Sequence, residues 1–177
     1  QFVVIDRSLE NYQALLTTFM GEEAADLDWQ NRATDSGEVL VANWFQQEED
    51  SNISVDSHNL DSDVTDDKVD LTQPQANQVD QVTVILLDSE ADGVEQLASV
   101  LSVYEDISAL HILSHGGAGL IRMGSANLGS SSLERYRQQL EAWGNALKAD
   151  GDILVYGCNV AEGEAGISFV DRLSGVT

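Results

Sequence analysis

The sequence predicts an α/β fold built on a mostly parallel sheet, and two observations lead to it. Short apolar runs of strand length, such as 2–5 and 82–87, alternate with stretches in which apolar residues recur at helical spacing. Strands separated by amphipathic helices form βαβ units, and their right-handed crossovers place helices on both faces of the sheet. We therefore expect a three-layer sandwich.

Each predicted strand is followed by a recognisable helix or turn. The strands are 2–5, 82–87, 110–113 and 152–156, and the helices begin near Ser8, Asp92, Ser131 and Glu164. Two short apolar runs, 120–123 and 126–128, predict a small hairpin before the third helix. Gly21 and Gly151 are typical stop signals for the first and third helices. The sequence stops at Thr177, where the alternation predicts another strand, so we expect the sheet to be incomplete at its C-terminus.

One stretch, 22–81, has a different composition. Residues 22–80 hold 16 acidic and 2 basic residues and the only proline, and their apolar residues follow no regular period. Such a segment cannot bury enough surface to offset its ordering entropy. We expect a domain made of 1–21 and 82–177, with 22–81 as an acidic, largely disordered insertion.

Two local features of the insertion remain open. The apolar residues from Val39 to Phe45 are compatible with a short helix docked on the core. The alternating acids from Asp61 to Asp67 could bind calcium weakly. No Asp-x-Asp-x-Asp-Gly loop is present, however, so solvated charge is the favoured interpretation.

Composition excludes several classes of function. A net charge of -23 repels phosphate backbones, so we predict no nucleic-acid partner. The apolar runs are too short for a membrane span of about 20 residues. The single cysteine, Cys158, excludes an internal disulfide and a multi-cysteine zinc site. Residues 116–119 lack the Gly-Lys-Ser/Thr ending of a phosphate loop, and we predict no cofactor and no metal.

Each of the four predicted strands is followed within two residues by a side chain that can take part in chemistry: Asp6, Asp88, His115 and Cys158. In a parallel sheet the carboxyl ends of the strands share one edge, where chemistry is usually found. A thiol becomes a good nucleophile once a neighbouring imidazole takes its proton. The amides of Gly116 and Cys158 could then face a developing oxyanion.

Simpler interpretations apply to each residue alone. A lone cysteine after a buried strand is usually a small buried hydrophobic residue, and a histidine before Gly-Gly is usually a loop residue. His111, inside a strand, is expected to be a core or face histidine, and His58 to be solvated. The joint occurrence of His-Gly and Gly-Cys at two strand ends favours a catalytic pair.

The sequence around these residues resembles a known family. The segments are 3–6, 87–89, 92–96, 111–116, 143–144 and 151–161. In this order they resemble the bacterial domain of unknown function 4347, over about 1–20 and 82–177. The His-Gly and Gly-Cys pairs also resemble the caspase-like clan of cysteine peptidases.

The resemblance implies a caspase-like fold and specific roles. Cys158 would be the nucleophile, His115 the general base, and Gly116 an oxyanion donor. Asp6 and Asp88 would line a specificity pocket that favours a basic side chain. The family occurs near the N-termini of long adhesin-like proteins, which implies a secreted or cell-surface location and flanking repeat domains.

Two functions follow as expectations. The first is a cysteine endopeptidase whose substrate is a peptide segment of its own parent chain, so that the protein processes itself. The alternative is a non-catalytic structural or interaction module at the N-terminus of such an adhesin.

Overall fold

A computed structural model describes residues 1–21, Ala24, 27–45 and 81–177. The strands are β1 (Phe2–Asp6), β2 (Gln30–Thr34), β3 (Gly37–Phe45), β4 (Gln81–Leu87), β5 (Ile107–Leu113), β6 (Gly116–Gly117), β7 (Leu120–Met123), β8 (Ala126–Gly129) and β9 (Leu147–Tyr156). The helices are α1 (Tyr12–Met20), α2 (Gly93–Leu101), α3 (Arg137–Ala146) and α4 (Gly163–Ser174).

Six of the strands form one mixed sheet in the order β2-β3-β4-β1-β5-β9. Strand β1 lies between β4 and β5 and is parallel to both, and β5 is parallel to β9. Strand β3 runs antiparallel to β2 and β4. Helices flank this sheet, so the α/β class is confirmed. The parallel strands β4, β1, β5 and β9 all end at one edge, and that edge carries the candidate site.

Residues of the sheet alternate between two apolar clusters. Val4 and Ile85 belong to a cluster with residues of α2 and α3, whereas Ile5 and Val84 belong to a cluster with Leu16 of α1. Successive residues of a strand point to opposite faces, so β1 and β4 are buried on both sides. This explains why they are almost continuously apolar.

Residues 37–45 form β3 rather than the predicted short helix. Val39 and Val41 pack into one apolar cluster, and Leu40 between them packs against the other. This period of two is that of a strand with neighbours on both faces, and it overrides the helical interpretation. Residues 30–45 of the acidic stretch are therefore part of the sheet. The predicted disorder of 46–80 and the calcium interpretation of 61–67 lie outside the described residues.

The predicted hairpin is confirmed as β7 and β8, which pair from Leu120↔Gly129 to Met123↔Ala126. With β6 they form a separate three-stranded sheet. The helix predicted from Ser131 begins only at Arg137, because the preceding residues form turns.

Gly151 does not end a helix, as the sequence had suggested. It lies within β9, where the register with β5 shifts between Ile107 and Ala109. A Cβ atom at Gly151 would lie 2.8 Å from the Ile107 carbonyl oxygen. The glycine therefore allows an irregularity of the sheet, and α3 already ends at Ala146.

Candidate active site

The pairing of β5 with β9 brings the two sequence motifs together. Leu113 is the register partner of Tyr156, and the Ser114 N–H donates to the Tyr156 carbonyl oxygen at 3.3 Å. His115 and Cys158 each follow two residues beyond this last pair, and both are exposed. The exposure of the Cys158 thiol argues against its being a buried hydrophobic residue.

Two glycines allow these strand ends to touch. A Cβ atom on Gly116 would lie 2.6 Å from Val160 Cγ2 and 2.9 Å from the Cys158 carbonyl oxygen. One on Gly157 would lie 2.9 Å from the same Val160 methyl group. Side-chain carbons do not approach other atoms so closely, and the backbones therefore meet here only because both residues are glycine.

The His115 ring has a partner from a third strand end. Its Nε2 lies 3.4 Å from the carbonyl oxygen of Ser8, in the loop after β1. A carbonyl oxygen can only accept, so a hydrogen bond at this contact places a proton on Nε2, and a neutral ring of this tautomer has its lone pair on Nδ1. The His115 backbone also has a partner, because the Arg122 N–H donates to the His115 carbonyl oxygen at 2.8 Å. Ser8 could not be predicted as this partner, because it contributes only a backbone atom.

The turn after Cys158 is held by backbone bonds. Asn159 adopts a left-handed conformation with φ of 58°, and its carbonyl oxygen accepts from the Glu162 N–H at 2.9 Å. The Val160 carbonyl oxygen accepts from the Gly119 N–H, also at 2.9 Å. These bonds connect the Cys158 turn to the segment that follows His115.

Asp6 lies at the same edge but below the surface, with 1% of its area exposed. One carboxylate oxygen accepts from the Ser8 N–H and the other from the Gly124 N–H, each at 2.8 Å. Asp6 therefore joins the end of β1 to the β7–β8 turn. A direct contact of Asp6 with substrate stays a prediction.

Asp88 is more accessible and forms an ion pair. Its Oδ1 lies 3.5 Å from Arg7 Nη2, with about 30% of each side chain exposed, and also accepts from the Glu90 N–H at 3.0 Å. The fully buried Gln96 amide fixes the Asp88 backbone, because its Oε1 accepts from the Asp88 N–H and its Nε2 donates to the Asp88 carbonyl oxygen. The sequence contains one indication of this role, because Gln96 is a polar residue among the apolar residues of the buried face of α2. A substrate contact of Asp88 also stays a prediction.

His111 is the partly buried face histidine that its place in a strand predicted. Its Nδ1 lies 3.1 Å from the Tyr156 hydroxyl oxygen, and the two rings stack with centroids 5.8 Å apart. Burial, and to a lesser extent the positive amino terminus, lowers the pKa of His111 below its usual value. His58 lies outside the described residues.

A cavity of about 940 Å³ opens beside the Cys158 turn, between β9 and α4. Gly157 and Asn159, on either side of Cys158 in sequence, belong to its wall. Apolar side chains form much of the rest: Ile153, Val155, Val160, Phe169 and Leu173.

The described residues also define what the site lacks. They contain no group of three or more His, Cys, Asp or Glu side chains able to hold a metal ion. Within the same ranges, no helix has both the length and the apolar character needed to cross a membrane.

Fold and site together define an α/β domain with a histidine and a cysteine at neighbouring strand ends. The chain belongs to the family described as Domain of unknown function (DUF4347), whose model matches residues 60–177. The match includes His115 and Cys158, whereas Asp6 and β1 to β3 precede it. No curated protein and no solved structure matched the chain.

Proposed function

We propose that this domain is a cysteine peptidase in which Cys158 is the nucleophile and His115 its base. The observation that carries the proposal is the contact between the ends of β5 and β9, which presents both exposed side chains at one edge. The proposed scaffold is a caspase-like, three-layer sandwich around the four parallel strands.

The hydrogen bonding of His115 supports a defined first step. With Nε2 donating to the Ser8 carbonyl oxygen, the free lone pair on Nδ1 can accept the Cys158 proton. The thiolate then attacks a peptide carbonyl carbon, and the Gly116 and Cys158 amides are the candidate donors to the oxyanion. The imidazolium returns the proton to the leaving amine, and water hydrolyses the resulting thioester.

The cavity next to the Cys158 turn is the candidate site for side chains of a polypeptide substrate, although neither Cys158 nor His115 belongs to its wall. At about 940 Å³ it is large enough for several side chains, and its wall is partly apolar and partly polar. We propose that this segment belongs to the parent chain, a large secreted or surface adhesin-like protein that the domain processes. Asp6 and Asp88 remain candidates for selecting a basic side chain.

The rate of Cys158 alkylation tests the proposal, since the chain has no other cysteine. An unperturbed thiol has a pKa near 8.5, so at pH 6 only about 0.3% is thiolate. We expect the folded protein to react with iodoacetamide at pH 6 at least about tenfold faster than the urea-unfolded protein.

The matched variants are His115→Gln, which keeps a polar side chain but cannot accept the thiol proton, and His111→Gln, which changes a histidine on the sheet face. Only His115→Gln should remove the rate advantage. Equal rates for folded and unfolded protein would contradict the peptidase proposal. That result, with unchanged processing of the parent protein carrying Cys158→Ala, would favour a non-catalytic module.

A further inference from the structure

We propose that Asp6 is a positioning residue for His115. Its buried carboxylate holds both backbone segments that contact this histidine, one at the ring and one at the main chain. The inference rests on the proposed function, because it concerns the geometry of the proposed base. The role that it assigns to Asp6 is exerted through His115 and requires no contact between Asp6 and substrate.

The first segment is the loop after β1. Asp6 Oδ1 accepts from the Ser8 N–H at 2.8 Å, and the Asp6 carbonyl oxygen accepts from the Leu9 N–H at 3.1 Å. These two bonds close a tight turn around Ser8. The Ser8 carbonyl oxygen is the atom that lies 3.4 Å from His115 Nε2. Asp6 therefore determines where the acceptor for the imidazole proton lies.

The second segment is the β7–β8 hairpin. Asp6 Oδ2 accepts from the Gly124 N–H at 2.8 Å, at the turn between the two strands. Two residues earlier, the Arg122 N–H donates to the His115 carbonyl oxygen at 2.8 Å. The hairpin thus transmits the position of the Asp6 carboxylate to the His115 backbone.

The hairpin turn has little freedom to move away. Gly124 has φ of 56°, and a Cβ atom there would lie 2.1 Å from the Ala91 carbonyl oxygen. The Ser125 N–H also donates to this carbonyl oxygen at 2.8 Å. The turn is therefore in contact with the loop after β4 on one side and with the Asp6 carboxylate on the other.

The chemistry of the site requires a carboxylate and not merely a polar side chain. Asp6 is 1% exposed, and no ion pair of the described residues includes it. Its two oxygens instead accept one backbone N–H each, which offsets the cost of burying them. Asparagine has the same shape but replaces one acceptor by an NH₂ group. The N–H group of either Ser8 or Gly124 would then face the NH₂ group instead of an acceptor. One of the two segments would lose its hydrogen bond to residue 6.

The experiment measures the pH profile of Cys158 alkylation by iodoacetamide in the intact 177-residue chain. We expect Asp6→Asn to lower the rate about tenfold at pH 6 and to leave it near the wild-type rate at about pH 9, where the thiol ionises unaided. The matched control is Asp92→Asn. The Asp92 side chain also accepts two backbone N–H groups, from Val94 and Glu95, but bonds neither Ser8 nor His115, and only the Asp92 backbone pairs with Gly124. Asp92→Asn should therefore keep the wild-type profile.

The outcomes separate this inference from the proposed function. A wild-type protein that reacts no faster than His115→Gln would overturn both. An activated wild type whose profile is unchanged in Asp6→Asn would overturn only the role of Asp6. If Asp6→Asn does not fold, nitrogen NMR of imidazole-labelled wild type decides, with His115 assigned by its loss in His115→Gln. A neutral His115 protonated on Nδ1, or one with the tautomer mixture of free histidine, would overturn the inference, and protonation on Nε2 alone would support it.

Discussion

At Gly116 the available space is smaller than a methyl group. A Cβ atom there would overlap Val160 and the Cys158 backbone, so Gly116→Ala has to separate the ends of β5 and β9. We expect a loss of about 1–3 kcal/mol in the free energy of unfolding, as for other overpacked sites. Cys158 alkylation at pH 6 should also slow, and urea titration and iodoacetamide kinetics measure the two effects.

The neighbouring glycine provides the control for this substitution. A Cβ atom on Gly117 would meet no atom within 4 Å, and its φ is not in the left-handed region. Gly117→Ala should leave the free energy of unfolding within about 0.5 kcal/mol of the wild type. Equal effects of the two variants would show that Gly116 is not limited by contact with Cys158.

His111 predicts a pH dependence of stability. Its pKa is lowered in the folded protein, chiefly by burial, so the unfolded chain binds a proton more readily. The neutral ring thus favours folding above the unfolded value of about 6.5, and this contribution is lost as the pH falls toward the folded pKa. We expect the urea midpoint of the wild type to fall more between pH 7 and pH 5 than that of His111→Gln. Parallel curves for the two proteins would contradict this assignment.

At the scale of elements, helix α2 has a cap that also joins it to α3. Asp92 accepts from the Val94 and Glu95 N–H groups, and its second oxygen accepts from the buried Tyr136 hydroxyl group at 2.6 Å. Arg135 also hydrogen-bonds this hydroxyl group and lies over the ring. We expect Asp92→Ala to lower the free energy of unfolding by about 1–2 kcal/mol, measured by urea titration.

Two variants separate the functions of Asp92. Asp92→Asn keeps a good helix cap and should cost less than the alanine variant. Tyr136→Phe leaves the cap in place, removes the hydroxyl bonds to Asp92 and Arg135, and should cost about 1 kcal/mol. An alanine variant as stable as the wild type would show that the cap contributes nothing measurable.

Much of the element order was predictable because local signals and burial agree. The segments 2–5 and 82–87 are apolar at successive positions, as expected for central strands buried on both faces. The start of α2 followed from Asp92 and its short side chain, and the hairpin from two apolar runs around Gly124.

Other elements depended on tertiary contacts that a short window of sequence does not contain. The apolar run in residues 37–45 is compatible with either a helix or a strand. The segment forms a strand because it pairs with β2 and β4. Gly151 was predicted to end a helix. It lies instead in β9, where the absence of a side chain leaves room for the Ile107 carbonyl oxygen at an irregularity of the sheet.

The same limit applies to the site. The proximity of the His115 and Cys158 backbones was predictable, because parallel strands end at one edge. The partners Ser8 and Arg122 were not, since each contributes a backbone atom that any residue type supplies. Residues that act through the backbone leave no chemical signal in the sequence.

For the whole molecule, the net charge of -23 predicts a response to salt. Like charges repel more strongly in the compact state, and salt screens them, with a Debye length that falls from about 30 Å at 0.01 M to about 8 Å at 0.15 M. We expect the melting temperature to rise over this range of sodium chloride, measured by calorimetry. An equal molarity of uncharged sorbitol is the control, and a melting temperature that falls with salt would contradict the argument.

The bond between Asp6 and Gly124 joins residues that are 118 positions apart, and the Ser8 to His115 contact spans 107 positions. Closing loops of this size is slow and comes after local helices and hairpins have formed. Cys158 follows β9, so every segment that contacts His115 has already been synthesised when the thiol joins the chain. The proposed histidine–cysteine pair can therefore assemble only when β9 pairs with β5, as one of the last steps of folding.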